Sequence, residues 1–181
     1  MAAYTKNFMF VEALELFERL LCFPYLKPDS YTYPSVLKAC NGLGRSDYGK
    51  GIHTHVMKSG FVLDVVITSS IVGMYAKCGL FGSAIQLFDE MPERDVACWN
   101  NVISCYYQNG QCEKALELFE KMKIYGFEPD SVTFTTAISS CARISDFERG
   151  KEIHKELLRN GYALDDLLVA LLWACMEEMV T

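Results

Sequence analysis

Basic residues are in deficit, with 17 lysines and arginines against 23 acids and a formal net charge of −6 over 181 residues. A protein that grips a phosphate backbone mainly by Coulomb attraction carries the opposite balance, so that mode is disfavoured. Long apolar runs are also missing. The longest, Leu167 to Met176, ends at Glu177 and stays well below the ~18 residues that a bilayer span needs, so no membrane-spanning segment is expected. None of the eight cysteines is spaced Cys-x-x-Cys, and a chain of this length needs no staples. Buried thiols in a reducing compartment are expected, with no metal site; Cys98, Cys105 and Cys112 fall near one stripe of a helical segment and read as core. Glycine-rich phosphate loops and the Gly-x-Ser-x-Gly elbow are absent, so neither an intrinsic enzyme, nor a cofactor, nor a small-molecule substrate is expected. The first twenty residues are neither a secretory signal nor an Arg- and Ser-rich transit peptide, because Glu12, Glu15 and Glu18 interrupt them; any import signal is absent or lies upstream. What remains, 51% hydrophobic and 22% charged residues, excludes wholesale disorder.

Repetition is what the sequence has in abundance. Gly49-Lys50-x-Ile52-His53 returns as Gly150-Lys151-x-Ile153-His154, and Ser30, Thr32, Cys40, Gly60, Leu63 and Asp64 recur at the same offset as Ser131, Thr133, Cys141, Gly161, Leu164 and Asp165. Glu12-Ala13-Leu14-Glu15-Leu16-Phe17-Glu18 returns as Lys114-Ala115-Leu116-Glu117-Leu118-Phe119-Glu120, with a looser copy from Ser83 to Asp89. Asp29, Asp64, Asp95, Asp130 and Asp165 mark units of about 35, 31, 35 and 35 residues, a period that indicates a solenoid.

Each unit reads as two helices. In the unit from Val96 to Asp130, Trp99, Val102, Ile103, Tyr106 and Tyr107 recur at helical spacing until Gln108-Asn109-Gly110 stops the helix. The second helix puts Ala115, Leu116, Leu118, Phe119 and Met122 on an apolar face and ends at Gly126 and Pro129. The boundary Asp residues are placed to cap the helix that follows. A lone pair of short helices cannot bury its apolar stripe, so the units must stack. The expected fold is all-α, a right-handed α-solenoid of stacked antiparallel helix pairs.

Asp89-Glu90-Met91-Pro92-Glu93-Arg94-Asp95-Val96 followed by Trp99-Asn100, with Tyr75-Ala76-Lys77-Cys78-Gly79, Gly49-Lys50-x-Ile52-His53 and Ala115-Leu116-Glu117-Leu118-Phe119, resembles plant pentatricopeptide repeat (PPR) proteins of the PLS subclass, in a short form without a C-terminal editing domain. On that resemblance the chain divides into a partial P repeat (1–29), an L repeat (30–64), an S repeat (65–95), a P repeat (96–130), an L repeat (131–165) and a truncated S repeat (166–181). The resemblance implies one base of single-stranded RNA per repeat, read by the fifth and last residues of each unit. These are Asn100 and Asp130 for uridine, Ser69 and Asp95 for guanine or purine, and Thr135 and Asp165 leaning to guanine. Pro34 and Asp64 make a spacer, since proline has no side-chain polar atom. Bases would be sandwiched by the second residues, Tyr31, Val66, Ala97 and Val132. Mitochondrial or chloroplast transcript processing or C-to-U editing is implied, with catalysis supplied in trans by editing factors or other repeat proteins.

Each reading has an alternative. The Asp residues serve equally as plain helix caps, and Asn100 and Ser69 as solvated polar side chains. His154-Lys155-Glu156 matches half of a zinc-deaminase signature, but its Pro-Cys-x-x-Cys half is missing, and His53 and His154 read as packing residues. A protein-interaction scaffold, or a truncated gene product without independent function, stands beside RNA binding.

Overall fold

The computed structural model describes residues 1–162, and every regular element among them is a helix. Ten helices follow in pairs: α1 (Ala2–Lys6) and α2 (Phe10–Cys22), α3 (Thr32–Leu43) and α4 (Ser46–Lys58), α5 (Val65–Lys77) and α6 (Phe81–Glu90), α7 (Val96–Gln108) and α8 (Cys112–Ile124), α9 (Ser131–Arg143) and α10 (Phe147–Arg159). The expected all-α class is the one observed. The stops anticipated around Val96–Asp130 also hold: Gly110 and Gly126 follow the two helix ends at φ of 75° and 82°, where a side chain would be strained.

The chain forms two compact units, Met1–Asn101 and a second beginning at Val102. In the first, α3 packs on α1 and on α5, so the leading helices of successive pairs form a row. The trailing helices α2 and α4 pack on the leading helix that follows, α3 and α5 respectively. Phe17, Tyr33, Leu37, Ile67, Ile71 and Met74 fill the core between them. Polar bonds cross it as well. The Tyr33 hydroxyl meets His55 Nδ1 at 3.0 Å within one pair, and the Tyr75 hydroxyl meets His53 Nδ1 at 2.9 Å, tying α4 to α5.

In the second unit α9 packs on α8 and on α10 around Leu116, Phe119, Phe134, Ile138 and Leu157. The rings of Phe119 and Phe134 meet edge-on at 5.7 Å. On the surface, Lys123 joins Glu120 of its own helix at 2.9 Å and Glu156 of α10 at 3.0 Å. Cys40, Cys98, Cys105, Cys112 and Cys141 are buried as the sequence suggests, whereas Cys22 is exposed at the end of α2. Burial, the leading cause, pushes the thiols of Cys40 and Cys98 up to about 12.

Candidate nucleic-acid interface

Asp64, Asp95 and Asp130 cap the leading helices α5, α7 and α9, and Asp29 bonds the first residue of α3 from outside its cap position. Asp64 Oδ1 accepts from the amides of Val66 at 3.0 Å and Ile67 at 3.1 Å, and Asp95 Oδ1 accepts from Cys98 at 2.7 Å. Asp130 accepts from the Thr133 amide at 3.0 Å while its own amide donates to Thr133 Oγ1 at 3.1 Å, a reciprocal box. Asp29 Oδ1 takes both the amide and the hydroxyl of Thr32, at 2.8 and 2.6 Å, and these bonds hold its carboxyl below the ordinary range. The bonds that Asp64, Asp95 and Asp130 accept from main-chain amides satisfy donors the helix start would otherwise leave open, worth about 1 kcal/mol per cap. Asp165 lies outside the described residues.

The second residues of the units share one feature, exposure. Tyr31, Val66 and Val132 are 84%, 57% and 53% exposed, and Ala97 is exposed too. A single exposed apolar side chain means little, but here one recurs at the same register of four leading helices. That register lies two residues after each boundary Asp.

The fifth residues differ from one another. Ser69 is only 3% exposed, and its hydroxyl donates to Asp95 Oδ1 at 2.9 Å, so the sequence-nominated pair is in contact. It is not the solvated side chain that one reading allowed. Thr135, half-buried, spends its hydroxyl proton on the Ser131 carbonyl at 2.6 Å. Pro34 sits in the first turn of α3, where a missing N–H costs nothing. Asn100 on α7 and Asp130 before α9 are each half-buried, the first in one unit and the second in the other.

Sequence reasoning passed over Asn101. Its Nδ2 donates to the main-chain carbonyl of Ser69 at 3.1 Å, reaching from α7 to α5. In the sequence it is merely the second of two asparagines, and nothing there distinguishes it.

This architecture has counterparts. The PPR repeat family profile matches residues 94–143, and the PPR repeat profile matches 1–23, 66–96 and 132–162. The chain belongs to the PPR repeat family. Among curated PPR relatives, pentatricopeptide repeat-containing protein At5g27110 of Arabidopsis thaliana is 57% identical over 92% of this chain and 24% of its own length. The chloroplastic pentatricopeptide repeat-containing protein At1g15510 of the same plant is 41% identical over 90% of this chain and 19% of its own. This PPR chain thus spans about a quarter or less of the length of these relatives. Of solved structures, the maize pentatricopeptide repeat protein PPR10 in complex with an 18-nt psaJ RNA element superposes with a TM-score of 0.68, at 23% identity over 86% of this chain and 23% of that one. Nuclear protein-only RNase P 2 of Arabidopsis thaliana gives a TM-score of 0.72, at 13% identity over 96% of this chain and 40% of that one. At these identities the likeness is one of fold.

Proposed function

We propose that this chain is a single-stranded RNA-binding module of PPR repeats, reading one base per repeat, within a PLS-type factor that serves organellar transcript processing or C-to-U editing. Catalysis would come in trans. PPR10 in complex with RNA and two relatives described as chloroplastic support the partner and the compartment.

The observation that carries the reading is the Ser69–Asp95 contact. Ser69 gives its only side-chain proton to Asp95 Oδ1, which also accepts from Cys98, so the pair has only acceptors to offer a ligand, and with Ser69 buried these are the carboxylate oxygens of half-buried Asp95. Guanine answers with two adjacent donors on its pairing edge, whereas adenine places an acceptor beside its amino group. Thr135 is likewise committed as a donor, which supports the same preference in its unit. Asn100 with Asp130 is assigned to uridine, because an amide supplies both a donor and an acceptor to a pyrimidine edge. Pro34 with Asp64 contributes spacing. Tyr31, Val66, Ala97 and Val132 are the surfaces against which bases lie.

The test is a titration, at stated salt, of short RNA oligomers that vary the guanine–uridine step, with Asn100→Ala beside the unaltered chain. Changing either base, or removing the amide, is expected to weaken binding about tenfold, the order of one hydrogen bond. Affinity blind to both changes would leave the protein-scaffold reading, which the net charge of −6 favours.

A further inference from the structure

A cleft of about 410 Å³ opens in the first unit between the 21–28 segment and the C-terminal end of α4. Its polar lining is Lys27, Lys58, His55 and Ser59, and its apolar walls include Phe23 and Phe61. Among the described residues no carboxylate lines it, in a chain where acids outnumber bases. Lys27 and Lys58 are exposed, and neither makes an ion pair among the described residues. Tyr33 and Ser59 hold His55 through Nδ1, at 3.0 and 3.3 Å, which fixes the ring and leaves Nε2 as its other polar atom. The size lies within the range of small-ligand sites, and the lining pairs cations with aromatic faces.

The repeat supplies an internal comparison. At the offset relating Gly49-Lys50 to Gly150-Lys151, Lys27 and His55 correspond to Glu128 and Glu156, while Lys58 corresponds to Arg159. Glu156 is already engaged by Lys123. The cleft at the next junction of the first unit, about 140 Å³, is lined by Glu90 and Glu93. The equivalent positions of the later repeat thus keep one base and replace two basic groups by acids, and the next cleft of the first unit carries two acids, so the full basic set belongs to this junction and is not imposed by the fold.

We infer that this cleft binds one nucleotide of single-stranded RNA, with its phosphate at Lys27 and Lys58 and its base against Phe23 and Phe61. The inference rests on the RNA-reading role proposed above. Chain continuity carries the assignment. Pro28 and Tyr33 line the cleft, and between them stands Tyr31, 84% exposed at a base-sandwiching position. Three residues span at most about 11 Å, so a strand laid on Tyr31 passes the cleft mouth. With the repeats read N- to C-terminus along the RNA from 5′ to 3′, the direction that the family resemblance implies, the nucleotide it accepts is the one on the 5′ side of the base at Tyr31.

Fluorescence anisotropy on the whole chain tests this with two oligomers, the read core alone and the core with one added 5′ nucleotide. The added nucleotide is expected to tighten binding about 5-fold or more, as one stacked base does. Lys27→Glu should abolish that gain, while Lys77→Glu, the same charge change at the C-terminal end of α5, should keep it. Equal affinity for the two oligomers, or equal losses in both variants, would overturn the site and leave the base-reading role standing. If the core itself fails to bind, that role falls and the cleft is judged alone, with uridine and guanosine 5′-monophosphate followed through the His55 imidazole NMR signals. A saturable shift that Lys27→Glu removes supports the cleft as a nucleotide site, and no shift rejects it.

Discussion

The side-chain amide of Asn101 donates to the carbonyl of Ser69 across two helices, and Gly73, one turn after Ser69, leaves the space for it. A Cβ at position 73 would stand 2.8 Å from Asn101 Nδ2. Alanine in a helix interior is ordinarily better than glycine by about 1 kcal/mol. Here that gain is opposed by displacement of the amide and loss of its bond, worth about 1 kcal/mol. Gly73→Ala is therefore expected to be neutral or destabilising in the unaltered chain and to stabilise by about 1 kcal/mol in an Asn101→Ala background. Urea midpoints for the four proteins of this cycle measure the coupling, and additivity within about 0.5 kcal/mol would show that the two residues act independently.

Why Asn101 escaped notice in the sequence, while Gly110 and Asp130 did not, comes down to range. Gly110 and Asp130 act within one turn of their own position, on a helix end or a helix start, so local spacing names them. The boundary Asp residues and the apolar stripe of Leu116, Phe119 and Met122 were legible for the same reason. Asn101 acts on a residue 32 positions away, and the Tyr33–His55 and His53–Tyr75 bonds each span 22. Those partners are set by the depth at which helices stack, which repeat length fixes only coarsely. Ser69 shows the limit from the other side: its register was readable, but its burial was not.

The His53–Tyr75 bond has a pH signature. Burial holds His53 below its ordinary value of 6.5, with Glu90 opposing the shift. A histidine lowered in the fold binds fewer protons there than in the unfolded chain, so its contribution is neutral above about pH 6.5 and turns unfavourable as pH falls below that value. Unfolding midpoints are expected to drop between about pH 7.5 and 5, and His53→Gln should flatten part of that drop. Parallel curves for the two proteins would mean that other groups carry the whole pH dependence.

Thiol reactivity should follow exposure. Thiolate is the attacking form, and burial pushes Cys40 and Cys98 up to about 12 and Cys105 up to about 11. Cys22, exposed at the end of α2, is expected to be alkylated by iodoacetamide before any other described cysteine, and the buried ones only after urea is added. Peptide mapping by mass spectrometry reads the order. Early labelling of Cys98, whose Sγ lies 3.3 Å from Met91 Sδ in the core, would contradict the packing described for that helix.

Asp95 is where capping and reading can be separated. Its Oδ1 accepts from the Cys98 amide at 2.7 Å and from Ser69 at 2.9 Å. Asparagine caps a helix about as well as aspartate, so Asp95→Asn should change stability by only a few tenths of a kcal/mol, whereas Asp95→Ala should cost about 1 kcal/mol. As a reader the substitution is not conservative. It replaces an acceptor-only group by an amide with both a donor and an acceptor, which suits adenine's adjacent amino group and ring nitrogen. The expected result is a shift of preference from guanine toward adenine at that one position of the RNA, with thermal unfolding nearly unchanged. A variant whose stability and base preference both stay fixed would leave Asp95 as a helix cap alone, and the same pair of measurements at Asp130 would then decide whether any boundary aspartate does more than close a helix start.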